Sequence, residues 1–190
     1  SAENCTDNEL YLKAATSLHK LQPTSQSAYF LYRLNASRGN VDEALSYISE
    51  ALAYTDLETE TAADYNYEAA AFCVKNGRNP QAITFAEKAK ELSSSYAGKV
   101  YFLIGTIWGA TSCGGDEISR RAPYWVAVDY MERAKAADAS LAEDCNRMIS
   151  QYRVYYPQTA EAFMYNLTDG QSYTVSCGGM RATTTVRTQK

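Results

Sequence analysis

Apolar residues recur at helical spacing near the start of the chain. Leu10, Ala14, Leu18 and Leu21 follow one another at intervals of three or four residues, and this periodicity predicts an amphipathic helix over residues 7–21. Pro23 ends it, because a proline disfavours helical geometry in the residue before it.

The same periodicity predicts helices along most of the remaining chain. Gly39 and Gly77 mark helix ends, whereas Pro80 and Pro123 are placed in the first turn of a helix, where proline is tolerated. The predicted helices span residues 27–38, 41–54, 61–75, 80–92, 97–110, 123–137, 141–155 and 159–166.

One pattern occurs in three of these helices: an Ala, an apolar residue four positions on, and a second Ala three further. The copies are Ala44-x3-Ile48-x2-Ala51, Ala82-x3-Ala86-x2-Ala89 and Ala127-x3-Met131-x2-Ala134. This pattern resembles the second helix of a tetratricopeptide (TPR) repeat. The resemblance implies an all-α fold: a right-handed TPR-type superhelix of antiparallel helix pairs that binds another molecule.

The repeat is irregular, because 38 residues separate Ala44 from Ala82 and 45 separate Ala82 from Ala127, against about 34 in an ideal TPR array. The extra residues are assigned to loops at 56–60 and 112–122. Ala70 and Gly105 take the small-residue position of the first helix in their pairs, and Tyr32 stands there in the first pair.

The end of the chain changes character. Residues 171–176 and 182–187 are rich in β-branched side chains and flank the turn Cys177-Gly178-Gly179-Met180, which predicts a β-hairpin. A lone hairpin is marginal in water, so this one is expected to dock on the last helices through Tyr173, Val175 and Val186. The chain is therefore interpreted as a single domain over 1–190. Its parts are an N-terminal helix (1–24), three TPR-like helix pairs (25–139), capping helices (140–167) and a hairpin tail (168–190).

A second resemblance covers the region from about Ala122 onward. It is carried by Ala122-Pro123-Tyr124-Trp125-Val126-Ala127, Tyr155-Tyr156-Pro157, Ser172-Tyr173-Thr174-Val175 and Thr183-Thr184-Thr185-Val186-Arg187. These segments resemble exported TPR proteins of Bacteroidetes with a Thr-Thr-Val-Arg tail. The resemblance implies a periplasmic or cell-surface location, with the cytoplasm as the alternative, and favours a disulfide. Because the sequence begins without Met, the chain is expected to be a processed or truncated product, from which an upstream export signal could be missing.

Composition narrows the class of partner. Of 190 residues, 46% are hydrophobic and 21% are charged, with a net charge of -4. This balance is typical of a soluble globular protein and argues against nucleic acid, whose phosphates need a basic surface. No apolar run approaches the roughly 20 residues that span a bilayer, so no membrane span is predicted.

Five cysteines and a single histidine restrict metal and redox chemistry. No C-x2-C pair occurs, which argues against structural zinc, so neither metal nor cofactor is predicted. Cys73 lies in an apolar helix and is expected to pack as a small hydrophobe. A Cys113–Cys145 disulfide is predicted, while two free thiols remain equally open in a cytosolic protein.

Catalytic motifs are absent from the sequence. His19 is interpreted as a partly exposed helical residue, and neither a nucleophile elbow nor a phosphate-binding loop occurs. No catalytic residue is therefore predicted, and the chain is expected not to be an enzyme.

The repeat register predicts a ligand-binding surface on the concave face, where TPR arrays present their first helices. Tyr29, Tyr67 and Phe102 occupy one repeat position and are predicted to form an aromatic ladder, flanked by the cations Arg33, Lys75 and Lys99. Aromatic anchors beside isolated charges suit a peptide. The alternative is that these aromatics are only packing residues.

Two functions follow from these patterns. The leading hypothesis is a non-catalytic scaffold that binds an unidentified protein or peptide on its concave face. A chaperone tail is not predicted as the ligand, because the basic-and-Asn clamp by which some TPR domains hold a C-terminal carboxylate is missing. The alternative is a structural subunit of an envelope assembly that uses its C-terminal hairpin as a docking edge.

Overall fold

The computed structural model describes residues 9–189, which are mostly helical and end in a small hairpin. The predicted helix boundaries lie within two residues of those observed, apart from the start of α7 and from the start predicted at residue 7, which lies outside the described residues. The elements are α1 (Glu9–Leu21), α2 (Ser25–Ser37), α3 (Val41–Ala53), α4 (Thr59–Lys75), α5 (Asn79–Leu92), α6 (Ala97–Ala110), α7 (Glu117–Ala137), α8 (Ala142–Arg153), α9 (Thr159–Met164), β1 (Ser172–Cys177) and β2 (Met180–Thr185). Short 3-10 turns, Ser94–Tyr96 and Ala139–Leu141, lead into α6 and α8.

Three antiparallel helix pairs, α2–α3, α4–α5 and α6–α7, build a right-handed TPR-type superhelix. The repeated Ala pattern lies on the second helix of each pair. All of its residues are fully buried: Ala44, Ile48, Ala51, Ala82, Ala86, Ala89, Ala127, Met131 and Ala134. Small side chains at these positions let neighbouring helices approach closely, which is why the pattern predicted the architecture.

Gly105 shows how close one of these approaches is. A Cβ added there would lie 3.2 Å from the carbonyl oxygen of Ala127 and 2.8 Å from Cε of Met131. The backbone of α6 therefore runs against α7 where the sequence predicted a small residue. Tyr32 takes the equivalent place in α2, where it is buried and meets Phe72 of α4 edge-on, with ring centroids 5.8 Å apart.

The first helix is attached to the array through polar contacts. His19 is buried, so its expected partial exposure is wrong. Its Nδ1 lies 2.6 Å from Oγ of Ser27 on α2, and its Nε2 lies 2.8 Å from Oε1 of Glu50 on α3. Both ring nitrogens are thus used in joining three helices, which explains why a polar side chain can be buried there.

Helix α7 begins at Glu117, so the predicted start at Pro123 is wrong, and the predicted loop over 112–122 is confirmed only for residues 112–116. Asp116 caps the helix by accepting a hydrogen bond from the backbone N–H of Ser119 at 2.7 Å. Glu117 pairs with Arg120 and Arg121 one turn on. The cap and these pairs stabilise an N-terminal turn that carries Pro123 into the helix interior.

The C-terminal hairpin is confirmed, with β1 and β2 antiparallel and Cys177 opposite Met180. Gly178 and Gly179 form its turn with φ of +61° and +74°, a conformation that favours glycine. Val175 and Val186 are buried, and Tyr173 meets the ring of Trp125 edge-on at 5.4 Å. These are the three docking contacts that the sequence predicted.

The segment after the hairpin is fastened to α7 by polar contacts. The indole Nε1 of Trp125 donates to the carbonyl oxygen of Arg187 at 2.9 Å, and the Arg187 guanidinium forms an ion pair with Asp129. Thr184 donates to the same carboxylate at 2.5 Å. Packing against one helix thus explains Thr184, Val186 and Arg187 of the Thr-Thr-Thr-Val-Arg run, whereas Thr183 and Thr185 are exposed.

Cys113 is bonded to Cys177, so the predicted Cys113–Cys145 pairing is wrong. Cys145 is buried and free near the end of α7, beside Lys135. Cys113 precedes the start of that helix, which is roughly 30 Å long for its 21 residues. Cys113 and Cys145 therefore lie near opposite ends of α7. The hairpin turn instead places Cys177 beside the loop that holds Cys113. Cys73 is also buried and free, as expected, and Cys5 lies outside the described residues.

Replacing Ala127 with Leu tests the close packing of α6 against α7. The larger side chain has no room there, and we expect the free energy of unfolding to fall by about 1–3 kcal/mol. Ala136→Leu is the matched control, because Ala136 is exposed on the same helix; its effect is expected within about 0.5 kcal/mol. Equal denaturant midpoints for both variants would show that Ala127 is not at a packed interface.

The disulfide assignment predicts a single cross-linked pair in a non-reducing peptide map. Cys113 and Cys177 are expected in one linked peptide, with Cys73 and Cys145 alkylated only after unfolding. The bond closes a loop of 64 residues, so removing it by Cys177→Ser is expected to cost about 4 kcal/mol of stability. A peptide linking Cys113 to Cys145 would contradict the assignment.

Candidate functional site

The six predicted ligand-binding residues all lie on the first helices of the three pairs. Tyr29 and Arg33 are on α2, Tyr67 and Lys75 on α4, and Lys99 and Phe102 on α6. We call the face formed by these six residues the first-helix surface. The three cations on it are exposed, and the three aromatic side chains are half-buried.

Between α2 and α4, the first-helix surface contains a stacked pair of tyrosines. The rings of Tyr29 and Tyr65 are nearly parallel, with centroids 3.9 Å apart. The Tyr29 hydroxyl donates to Oε2 of Glu68 at 2.5 Å. Burial and this carboxylate raise the pKa of Tyr29 to about 12, so the phenol remains a hydrogen-bond donor at neutral pH. Arg33 lies alongside, where Tyr29 and Glu68 raise its pKa.

A cavity of about 490 Å³ opens beside this stack. It brings together Arg33 and Lys75, which the sequence predicted as separate charges, and places Glu68 in the same lining. The apolar part of the lining is formed by Tyr32 and Phe72. Lys75 has no ion-pair partner within residues 9–189. The cavity thus combines an aromatic wall with an available cation.

A second cluster joins α4 to the start of α6. Tyr67 packs against Tyr96 with ring centroids 5.1 Å apart, and the ammonium of Lys99 lies 5.6 Å from the centroid of the Tyr96 ring. The Tyr96 hydroxyl donates to Asp64 at 2.5 Å. That hydrogen bond and burial raise the pKa of Tyr96 to about 12. Lys99 is therefore held by a cation–π contact within reach of the aromatic pair.

The predicted aromatic ladder differs from the observed contacts. Within the described range, no ring contact joins Tyr29, Tyr67 and Phe102 to one another. Tyr29 and Tyr67 each pair with a tyrosine at the next helix pair along the array, and Phe102 packs against the core. The surface thus presents two separate aromatic clusters, and their role in ligand binding remains a prediction.

Several residues of these clusters were missed by the repeat register. Tyr65 and Glu68 lie three residues apart on α4, on the side that meets α2. Their helical spacing is a signal that could have placed them beside Tyr29. Tyr96 lies in a 3-10 turn outside any repeat position, so no periodicity in the sequence identifies it.

A different cavity lies at the C-terminal end, between the start of α7 and the residues after α8. Its volume is about 670 Å³, and Arg121 and Glu161 form an ion pair in its lining. Tyr124 and Tyr155 stack there with centroids 4.3 Å apart. None of these residues was predicted as part of a site.

The described range, residues 9–189, contains neither a metal-binding cluster nor a membrane-spanning helix. No group of three His, Cys, Asp or Glu side chains in that range is arranged to hold a metal ion. Of the helices described there, none combines the length and apolar character needed to cross a bilayer.

The arrangement of helices is similar to that of a solved protein. The crystal structure of MamA, a TPR-like helical repeat protein, superposes with a TM-score of 0.51, covering 82% of this chain and 92% of MamA at 13% sequence identity. At that identity the likeness shows the fold alone. No protein-family model matches the chain. No curated protein sequence matches it either.

The raised pKa of Tyr29 predicts a specific sensitivity to alkali. Its pKa rises from 10.0 to about 12 in the folded protein, so the stability it contributes is complete below pH 10 and is lost as the pH rises through 12. We expect the thermal midpoint of Tyr29→Phe to fall less steeply over this interval than that of the native protein. Tyr165→Phe, at an exposed tyrosine, is the control and is expected to keep the native slope. Identical slopes for Tyr29→Phe and the native protein would contradict the Tyr29–Glu68 contact.

Proposed function

We propose that this protein is a non-catalytic scaffold that binds a peptide segment of another protein on its first-helix surface. Its TPR-type fold supports an interaction scaffold, since such folds are typically non-catalytic and present extended binding faces. We place the ligand on the concave side because the first helices of TPR arrays line that side. The observation that carries the proposal is the cavity between α2 and α4.

This cavity suits a peptide with one acidic and one apolar side chain. Lys75 offers a cation that has no ion-pair partner among residues 9–189, and Phe72 and Tyr32 offer an aromatic wall beside it. The second cluster, around Tyr67 and Lys99, repeats this pairing of an aromatic ring with a cation on the next unit. A peptide running along the array therefore meets the same chemistry twice, which suits an extended ligand.

We also propose that the protein works outside the cytoplasm, in the periplasm or at the cell surface. The Cys113–Cys177 disulfide supports this location, because such bonds persist mainly in oxidising compartments. The resemblance of the C-terminal segments to exported proteins points the same way. The cytoplasm is the alternative, and in that compartment both thiols are expected to be reduced.

The other candidate is a structural subunit that docks through the hairpin. In the described part of the chain, β1 and β2 pair only with each other, so each leaves one backbone edge for a further strand. However, the inner face of the hairpin packs on α7, and its turn is held by the disulfide. We therefore favour the first-helix surface as the site of recognition.

Peptide selection tests the proposed function directly. The native protein is screened against a displayed library of random peptides, and the selected peptides are measured by fluorescence anisotropy. Lys75→Glu is expected to weaken binding roughly tenfold or more, because it reverses the cation in the cavity. Lys88→Glu is the matched control, since Lys88 is an exposed lysine on a second helix, α5, and it is expected to bind as the native protein does.

Substitutions of aromatic residues test the first-helix surface independently in the same binding measurement. Tyr67→Ala combined with Phe102→Ala is expected to reduce binding of the selected peptides while circular dichroism remains native. If both this variant and Lys75→Glu bind every selected peptide with native affinity, the first-helix surface is not the site.

A further inference from the structure

Two cavities meet at the C-terminal end of the array. The cavity of about 670 Å³ beside the start of α7 has a neighbour of about 630 Å³ that is lined largely by α8. Tyr124, Val154 and Tyr155 line both cavities, and we call these three residues the tyrosine ridge. Val154 is 66% exposed and Tyr155 is 50% exposed. An apolar ridge exposed between two cavities is typical of an interaction site.

The packing of α6, α7 and α8 determines the shape of this surface. Tyr124 of α7 stacks on Tyr155 with ring centroids 4.3 Å apart, and it meets the ring of Tyr152 on α8 at 5.9 Å. Tyr152 in turn lies over Gly109 of α6, where an added Cβ would overlap the hydroxyl end of the ring. Glycine at this position therefore lets Tyr152 lie against α6, and the two residues line the second cavity together.

The hydroxyl groups of the three tyrosines are available to a ligand. Within residues 9–189, the hydroxyls of Tyr124, Tyr152 and Tyr155 have no hydrogen-bond partner. Tyr152 is only 7% exposed, and a polar group buried to this extent normally has a partner. Burial raises the pKa of Tyr124 and of Tyr152, so both phenols remain hydrogen-bond donors at neutral pH. The cavity thus suits a ligand that accepts hydrogen bonds.

The charges around the two cavities favour an uncharged ligand. Arg120 and Arg121 form ion pairs with Glu117 in the first cavity, and Arg147 pairs with Asp144 at the second. A charged ligand would have to compete with these ion pairs. The first-helix surface differs, because it offers a cation that has no ion-pair partner among the described residues.

We propose that the tyrosine ridge binds a proline-rich segment of a partner protein in the polyproline II conformation. A run of prolines is uncharged, and its rings pack on aromatic side chains. The polyproline II helix has no internal hydrogen bonds, so its carbonyl oxygens accept them from other groups, here the phenol hydroxyls. It completes a turn every three residues, or about 9 Å, so two neighbouring cavities can take side chains from successive turns. This site is separate from the first-helix surface and does not depend on it.

Fluorescence anisotropy with a labelled decaproline peptide, which is a preformed polyproline II helix, tests the proposal. The native protein is expected to bind decaproline saturably and not to bind a flexible Gly-Ser peptide of the same length. Tyr155→Ala is expected to weaken binding roughly tenfold or more, because it removes the exposed ring of the ridge. Tyr165→Ala is the matched control: Tyr165 is 42% exposed and lies outside both cavities, so this variant is expected to bind like the native protein.

Removal of a single hydroxyl tests the floor of the second cavity. Tyr152→Phe keeps the ring over Gly109 and is expected to raise the decaproline dissociation constant roughly 2- to 13-fold, the equivalent of one hydrogen bond. Its melting temperature is expected to be unchanged, because that hydroxyl has no partner among residues 9–189. Lys75→Glu alters the first-helix surface alone and is expected to leave decaproline binding unchanged.

Several results would overturn the proposal. They are the absence of saturable decaproline binding, equal binding of the Gly-Ser peptide, and native affinity in both Tyr155→Ala and Tyr152→Phe. Loss of decaproline binding in Lys75→Glu would place the peptide on the first-helix surface instead. Sugars also combine ring faces with hydrogen-bonding groups, so a glycan array is run in parallel. Glycan binding that Tyr155→Ala abolishes, without decaproline binding, would assign the ridge to a sugar and contradict the proposal.

Discussion

Close contact between helices at alanine positions is the constraint on which the whole structure depends. Ala44, Ala82 and Ala127 are fully buried where second helices meet their neighbours. A larger side chain at such a point would separate the helices and remove the packing contacts around it. Because the constraint recurs along the chain, it also determines that the first helices form one continuous face, and this face carries the proposed binding residues.

The two ends of the array are completed in different ways. At the C-terminal end, the hairpin covers α7 with Val175 and Val186, and Arg187 and a disulfide hold it in place. At the N-terminal end, α1 is attached by the polar contacts of His19 and leaves an apolar face outward. One end is therefore packed against the hairpin, whereas in the described residues Leu18 and Leu21 of α1 are exposed at the other.

Local patterns predicted most of the fold. Helical spacing, turn glycines and the buried alanines are properties of short segments, and the structure follows them closely. The errors concern contacts between distant segments. The partner of Cys113 depends on where the hairpin turn returns, and the burial of His19 depends on Ser27 and Glu50 of two other helices. The early start of α7 follows from the Asp116 cap, which outweighs the position of Pro123.

For the candidate site too, positions within one repeat unit were predicted, whereas contacts between units were not. The register placed six residues on the first helices of the three pairs, where the structure also has them, because each repeat unit contributes equivalent positions. It did not reveal the ring partners Tyr65 and Tyr96, since these contacts arise where one unit meets the next. It also did not show that Arg33 and Lys75 share a cavity with Glu68. Repetition predicts where a binding face lies, and its detailed chemistry depends on the packing between units.

Amide hydrogen exchange measured with and without a selected peptide tests the central claim most directly, because it locates the bound ligand without any substitution. The account predicts that the peptide slows exchange in α2 and α4, around Tyr29 and Lys75, and leaves β1 and β2 unchanged. Slower exchange confined to the hairpin, with α2 and α4 unaffected, would contradict it.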